Sequence, residues 1–324
     1  MPHRRALMLS IGLCAAAAAP LAAGQAAYPS RPVELTVGFS PGGSVDLMAR
    51  GLAEEMSQKL GQPVIVRNIA GASGTVAMRL MLNKPADGYS MVFGPATTLI
   101  SALHTGKPGY TLADFTPVCQ VFRNNITLAV PATSPYRTLD DLLAAAKRSP
   151  DALSYGHTGR GSVIHITIAN LMAQKGTSAV DIPYRGESAM LPALLSGDIA
   201  FGAVSSVTAA TQGAKLRVLA ALDDERDPLR PDTPSMRDAG SSSVPPVGLN
   251  GLYLRAGTPT PVRQAIEQAC REASASPHYQ ALATRFATRL EFQSGDAFQR
   301  RIEADWRRIG ELVKELPLGD LSGG

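Results

Sequence analysis

Glycine and small polar residues follow the first predicted strand, and their chemistry suits an anion. Pro41, Gly42 and Gly43 stand between a run of alternating apolar residues and a helical pattern that Ser44 is predicted to cap. Proline ends the strand, and glycine adopts conformations closed to other residues, so main-chain N–H groups can turn toward a ligand. The free N–H groups and positive dipole end of the following helix favour the same charge. This turn alone leaves open whether it binds an anion or only connects a strand to a helix.

Other reactive side chains give weaker signals. Ser162 and His165 could form a nucleophile and a base, but no Gly-x-Ser-x-Gly elbow surrounds Ser162, which favours a packing role for His165. Asp46 could be a base or contact a ligand ammonium group, yet its position in a first helical turn favours an interaction with the helix dipole. The histidines lack paired metal spacing, so no metal and no cofactor are predicted. The P-loop and Gly-x-Gly-x-x-Gly motifs are absent from the turn, which disfavours a nucleotide.

Alternating strands and helices must position these residues. A period-two apolar pattern over 33–39 predicts a strand, and apolar residues at every fourth position from Met48 to Leu60 predict an amphipathic helix. Short apolar runs at 64–66 and 91–93 predict two further strands, each followed by small or hydroxylic residues. Because the carboxyl ends of parallel strands meet at one edge of a sheet, the three loops predict a ligand site at that edge.

A second unit with the same alternation begins after the polar residues 123–125. Its predicted strands again end in small or hydroxylic residues, at 156–162, 184–188 and 205–206. A strand at 249–254 leads the chain back after an irregular segment rich in Asp, Pro and Ser. The sequence therefore predicts an α/β fold with two lobes. The predicted divisions are a signal peptide at 1–26, a first domain at 27–124 and 251–324, and a second domain at 125–250.

The N-terminus is typical of an exported protein. Arg4 and Arg5 precede an apolar run, and small residues follow it before Tyr28, so a signal peptidase is expected to cut between Ala23 and Ala27. A membrane anchor is the alternative, but the apolar run contains Pro20 and is shorter than the roughly 20 residues that a spanning helix needs, which favours cleavage.

Composition limits the partners and leaves the cysteines open. The net charge is +4 and no basic run follows the signal peptide, so nucleic acid is not a predicted partner. In an oxidising compartment Cys119 and Cys270 could form one disulfide, or they could be two buried thiols.

Several short motifs, taken in order, resemble one family over essentially the whole mature chain. They are YPSRP (28–32), PGGSVD (41–46), LGQPV (60–64), DGY (87–89), DFTPV (114–118), PYRG (183–186), GAKLRVLA (213–220), PDTPS (231–235) and GLY (251–253). This pattern resembles the Bug family, the periplasmic receptors of tripartite tricarboxylate transporters. The resemblance implies a type II periplasmic-binding-protein fold, with two mostly parallel sheets flanked by helices and joined by two crossing strands. It also implies a non-enzymatic receptor, expected as a monomer, that holds a small mono- or dicarboxylate between its lobes.

The resemblance also implies which residues bind the ligand. From the first lobe these are Phe39, Gly43, Ser44, Asp46, Ala72, Ser73, Gly74, Thr97 and Thr98. From the second lobe they are Thr158, Gly161, Ser162, Tyr184, Arg185, Gly186 and Ser205. Arg160, in the same loop as Gly161, is a further candidate. Arg160 departs from the family pattern, in which this loop is often uncharged. If Arg160 or Arg185 faces the cleft, a bidentate contact favours a dicarboxylate; if both face solvent, a monocarboxylate fits equally well.

Three functions follow from these observations. The favoured one is a periplasmic receptor that captures a small carboxylate for a membrane permease of the tripartite tricarboxylate type. The first alternative is a ligand sensor that docks on the ectodomain of a sensor kinase in a two-component system. The second is an exported hydrolase or isomerase that uses Ser162 with His165, or Asp46 as a base.

Overall fold

The computed structural model describes residues 28–227, 230–241, 248–286 and 288–316, and the predicted signal peptide lies outside these ranges. The strands in chain order are β1 (Val33–Val37), β2 (Val64–Asn68), β3 (Ser90–Pro95), β4 (Phe115–Arg123), β5 (Ile126–Pro131), β6 (Ser154–His157), β7 (Val180–Pro183), β8 (Phe201–Ser205), β9 (Leu216–Ala221), β10 (Leu249–Arg255) and β11 (Arg289–Ser294). The helices are α1 (Ser44–Leu60), α2 (Thr75–Met81), α3 (Thr97–Thr105), α4 (Leu139–Arg148), α5 (Val163–Gln174), α6 (Glu187–Ser196), α7 (Ser206–Gln212), α8 (Thr260–Ser274), α9 (Pro277–Arg285) and α10 (Gly295–Glu315). Within the described ranges, no helix combines the length and apolar character needed to cross a bilayer.

The strands form two sheets, and each sheet with its helices is one lobe. The first lobe has the strand order β11-β4-β10-β3-β1-β2 and the second has β7-β6-β8-β5-β9. In the first sheet β1 to β4 run in one direction, and in the second sheet β6 to β9 do so. Strands β5, β10 and β11 run the opposite way. For β5 and β10 the reason is that the chain crosses into each sheet at the edge where the other strands end. The predicted α/β fold with two lobes and mostly parallel strands is confirmed.

Helix α1 shows how periodicity builds the first lobe. Met48, Leu52 and Met56 are fully buried in one cluster with the apolar residues of β1, as the four-residue spacing predicts. Leu60, the last residue of that series, is partly exposed at the end of the helix. Because one face of α1 lies on the sheet, its N-terminus is held beside the carboxyl ends of the strands.

A disulfide joins Cys119 in β4 to Cys270 in α8, 151 residues later in the sequence. Both residues are fully buried in the core of the first lobe. The structure therefore selects the bonded form from the two alternatives that the sequence left open. The closed loop contains all strands of the second lobe.

The chain crosses between the lobes at two adjacent places. The first crossing lies between Arg123 and Ile126, and the second lies between β9 and β10. Arg123 pairs with Asp223 across them, and the Asn124 N–H donates to the Gly248 carbonyl at 2.8 Å. The predicted domain boundary between 250 and 251 falls inside β10, which begins two residues earlier, and the domain division itself stays a prediction.

We expect Gly248→Ala to destabilise this crossing strongly. Gly248 has φ +81°, and an added Cβ would lie 1.9 Å from the Asn124 carbonyl oxygen. Gly197 is a matched control because it has φ +83° and nothing within 4 Å of an added Cβ. Gly197→Ala should cost only the left-handed backbone strain, about 1–2 kcal/mol, and Gly248→Ala about 1–3 kcal/mol more from overpacking. Urea unfolding measures both variants, and equal losses would contradict the proposed clash.

Candidate functional site

A cavity of about 860 Å³ lies between the two lobes. Residues at the N-terminal ends of α1, α3, α5 and α6 line it. Most of the predicted site residues line this cavity: Phe39, Gly43, Ser44, Ala72, Ser73, Thr97, Thr98, Thr158, Arg160, Gly161, Ser162, Tyr184, Arg185 and Gly186. The structure therefore brings the predicted loops of both lobes to one place, whereas Asp46, Gly74 and Ser205 do not line the cavity.

Three of the four helices at the cavity, α1, α3 and α6, begin without a side-chain cap. Gly43 precedes α1 and Gly186 precedes α6, and neither helix has a capping hydrogen bond from a described side chain. The prediction that Ser44 caps α1 is wrong, because Ser44 is already inside the helix and its hydroxyl accepts a hydrogen bond from Asn124 Nδ2 at 2.9 Å. The first-turn N–H groups of α1 and α6 are thus left for solvent or an anionic ligand.

Asp46 stabilises the turn at the start of α1. It is 2% exposed, and its carboxylate accepts hydrogen bonds from the Gly42 N–H at 2.9 Å and from Asn68 Nδ2 at 2.7 Å. Arg50 Nε also donates to it at 3.1 Å. Burial opposes ionisation, but these hydrogen bonds hold the pKa of Asp46 below its usual value. Asp46 is therefore a positioning residue that fixes the turn, and it faces away from the cavity.

Gly74 and Ser205 also act behind the cavity wall. Gly74 has φ +91°, and an added Cβ would lie 3.1 Å from Thr98 Oγ1, so the loop passes close to α3 only because this residue is glycine. Ser205 caps α7 by accepting the Thr208 N–H at 3.2 Å. Its hydroxyl donates to Glu187 Oε1 at 3.0 Å, which places it beneath the start of α6.

Ser162 and His165 do not form a nucleophile and base pair. Ser162 Oγ accepts the backbone N–H of His165 at 3.2 Å and so caps α5. The His165 ring contacts Gly161 instead, whose N–H donates to Nδ1 at 3.1 Å. Burial lowers the pKa of His165 to about 4, which favours the neutral ring. The packing role predicted for His165 agrees with these contacts.

The cations at the cavity differ in their partners. Arg160 is paired, since its Nε lies 3.0 Å from Asp181 Oδ2. Arg185 lines the cavity and forms no ion pair with any described carboxylate. Glu187 also lines the cavity; it accepts the Ser205 N–H at 2.7 Å, and burial raises its pKa. Arg185 is therefore placed to bind a carboxylate without first giving up a protein partner.

Hydroxyl groups of the first lobe bind carbonyl groups of the second across the cavity mouth. Ser73 Oγ donates to the Thr158 carbonyl at 2.7 Å, and Ser40 Oγ donates to the Arg185 carbonyl at 3.2 Å. Thr105 Oγ1 lies 3.4 Å from the carbonyl of Gly161. These contacts hold the two lobes closed.

We expect Ser73→Ala to weaken ligand binding about three- to tenfold. The hydrogen bond to Thr158 forms only when the lobes close, and one such bond contributes about 0.5–1.5 kcal/mol, so its loss shifts the equilibrium toward the open form. Calorimetric titration with malate measures the change. Ser196→Ala is the control, because this serine bonds within the second lobe, to Asp198. An unchanged affinity in Ser73→Ala would show that this contact does not control closure.

The sequence matches a known family over most of its length. Residues 48–318 match the model of the tripartite tricarboxylate transporter family receptor. The chain belongs to this receptor family. The family membership that the short motifs indicated is confirmed. Because the family consists of binding receptors, the protein is a receptor and not an enzyme.

Individual relatives align with most of the chain. A Cupriavidus necator relative, the UPF0065 protein in the gbd 5' region, is 31% identical over 98% of both chains. The structure of the periplasmic binding protein BugD has a TM-score of 0.82 and 27% identity, covering 89% of this receptor and 98% of BugD. MatC from Rhodopseudomonas palustris, solved with bound malate, has a TM-score of 0.81 and 26% identity, covering 88% of this receptor and 100% of MatC.

Several cavity residues of the receptor were missed from the sequence. Ser101 and Thr105 follow Thr97 at four-residue spacing on α3, and this spacing is a signal that could have revealed them. Asn124 and Asn250 stand at the crossings and reach the cavity from there. Two cations, Arg79 and Lys107, also line it and form no ion pair with described residues.

A second group of polar residues lies in the second lobe of the receptor, beneath the loop from Thr158 to Ser162. It consists of His157, His165 and Asp181, whose potential ligand atoms all lie within 4.8 Å of one another. Sequence spacing gave no sign of this group because β6, α5 and β7 each contribute one residue. The absence of a metal stays a prediction.

Proposed function

We propose that this receptor is exported to the periplasm, captures a small dicarboxylate between its lobes and delivers it to a membrane permease of the tripartite tricarboxylate type. The observation that carries the proposal is the arrangement of Gly43, Gly186 and Arg185 around one cavity. The two glycines begin helices that lack side-chain caps, and the arginine lacks an ion-pair partner among the described residues. These groups offer N–H donors and positive charge in a place where protein acceptors do not satisfy them.

Two separate groups of donors favour two carboxylates over one. The start of α1 offers backbone N–H groups to one carboxylate, and Arg185 offers a planar guanidinium that suits bidentate contact with another. Arg79 and Lys107 add positive charge to the same cavity. Malate, the dicarboxylate bound by MatC, has this charge pattern. Closure would trap the ligand because the interlobe hydrogen bonds and the ligand contacts favour the same closed form.

The family and the N-terminal sequence support the proposed location and transporter partner. BugD is a periplasmic binding protein, and the first 26 residues have the composition of a signal peptide. The family name points to a tripartite transporter as the recipient of the ligand. Docking on a sensor kinase and the monomeric state stay predictions.

Identification of the bound molecule tests this function. The receptor is purified from its host, denatured, and the released small molecules are identified by mass spectrometry. A thermal-shift panel then compares malate, succinate and adipate with lactate and benzoate, since a ligand raises Tm according to its excess over Kd. We expect a dicarboxylate in the released fraction and the largest shift from a dicarboxylate. Release of a neutral or cationic compound, or shifts from monocarboxylates alone, would contradict the proposal.

A further inference from the structure

His157, His165 and Asp181 form a compact group that the carboxylate site does not use. His157 is fully buried at the end of β6, and His165 is 4% exposed in the first turn of α5. Their rings stack with centroids 4.6 Å apart. Asp181 in β7 places Oδ2 at 3.2 Å from His157 Nε2. Two imidazoles and one carboxylate are thus held together by three separate elements.

The three side chains are of the types that bind divalent metals. Imidazole nitrogen and carboxylate oxygen are both zinc ligands. His157 Nε2 and Asp181 Oδ2 face each other at 3.2 Å, so these two atoms are turned toward one point.

The spacing of the three ligand atoms is close to that of a bound ion. Because all three lie within 4.8 Å of one another, some point lies within about 2.8 Å of each, which is 4.8 Å divided by √3. Zinc bonds to histidine nitrogen and carboxylate oxygen are about 2.0–2.2 Å long. A contraction of less than about 1 Å would therefore complete the site. His157 Nδ1 lies 2.8 Å from the Gly159 carbonyl and 3.1 Å from the Gly159 nitrogen. A proton on Nδ1 that donates to the carbonyl would leave Nε2, which lies 3.2 Å from Asp181 Oδ2, for the metal.

We propose that His157, His165 and Asp181 bind a divalent cation of the zinc class, with water as the fourth ligand. Histidine and carboxylate ligands in a site of this size suit Zn²⁺ and Co²⁺ better than Ca²⁺ or Mg²⁺, which prefer an all-oxygen shell. The site belongs to the second lobe alone, and the metal can bind there when the proposed carboxylate ligand is absent.

Metal binding must compete with existing contacts of all three residues. His157 Nε2 contacts Asp181 Oδ2, and the Gly159 N–H donates to His157 Nδ1 at 3.1 Å. Arg160 donates to Asp181, and the Gly161 N–H donates to His165 Nδ1, which would have to carry a proton once Nε2 binds the metal. Arg160 and Gly161 also line the carboxylate cavity. A bound cation therefore displaces the Arg160 guanidinium from Asp181 and rearranges the loop that faces the cavity. By linkage, a carboxylate that binds the displaced Arg160 would in turn favour the metal.

Titration of the receptor with ZnCl₂ tests the site. The protein carries no histidine tag and is first treated with a chelator; calorimetry at pH 7.5 then follows binding. We expect one Zn²⁺ per chain, and visible absorption of Co²⁺ typical of a four-coordinate site. Asp181→Asn keeps the side-chain shape and should weaken Zn²⁺ binding more than about tenfold, since even outer partners of metal ligands contribute 10- to 100-fold.

His278→Gln is the matched control because this histidine is exposed on α9 and lies near Glu54. It should leave Zn²⁺ binding unchanged, and His165→Gln should abolish it. Circular dichroism confirms that each variant is folded. No stoichiometric Zn²⁺ binding by the wild type, or equal binding by wild type and folded Asp181→Asn, would overturn the proposal.

Discussion

Arg185→Ala is expected to weaken malate binding about 10- to 100-fold. A charge-assisted hydrogen bond contributes about 1.5–3 kcal/mol. Arg185 forms no ion pair with the described residues, so its removal should affect mainly the contact with the ligand. Arg160→Ala should have a smaller effect, because its guanidinium is already held by Asp181 at 3.0 Å. Calorimetric titration of each variant with malate and with lactate measures the difference.

The charge of the ligand provides the control for this expectation. Lactate has one carboxylate, which the N-terminus of α1 can bind, so its affinity should change little in Arg185→Ala. Arg148→Ala removes a surface cation at the end of α4 that does not line the cavity, and both affinities should stay as in the wild type. If malate binds equally well to Arg185→Ala and the wild type, the second carboxylate contacts another group.

Loss of the disulfide is expected to lower the free energy of unfolding by about 3–5 kcal/mol. The bond between Cys119 and Cys270 closes a loop of 151 residues, and such a long loop restricts the unfolded chain strongly. Cys119→Ala with Cys270→Ala removes the bond and leaves no unpaired thiol in the core. At roughly 2–4 °C per kcal/mol for a chain of this size, Tm should fall by about 10 °C.

Treatment with a reductant separates the bond from side-chain packing. Dithiothreitol should lower the Tm of the wild type toward that of the double variant and should leave the double variant unchanged. Ligand affinity should be nearly constant in all samples at a temperature where they are folded, because both cysteines lie in the core of the first lobe and do not line the cavity. A wild type whose Tm does not respond to full reduction would contradict the expectation.

Local patterns in the sequence were sufficient for the fold and for much of the cavity wall. Met48, Leu52 and Met56 predicted α1 because burial on a helix repeats about every four residues. Glycines and hydroxyl groups at strand ends predicted the cavity loops, since such residues leave room and N–H groups at the edge of a parallel sheet. Each of these signals depends on residues that are neighbours in the chain.

Contacts between distant residues could not be predicted in this way. The hydroxyl of Ser44 accepts a hydrogen bond from Asn124, 80 residues away, so the residue predicted as a cap instead contacts the first crossing. The partner of Arg160 is Asp181, and no local pattern connects the two. The pairing of the cysteines likewise depends on the return of the chain to the first lobe. The sequence shows which residues are polar, but only the fold determines which of them have hydrogen-bond or ion-pair partners.

The position of β10 in the first sheet has a consequence for the order of folding. This strand lies between β3 and β4, yet it is synthesised after every strand of the second lobe. Because the chain is synthesised from its N-terminus, the second lobe is a continuous segment that can fold before β10 is made. The sheet of the first lobe lacks the strand between β3 and β4 until β10 has been synthesised. We therefore expect the half of the molecule that emerges first to reach its native form last.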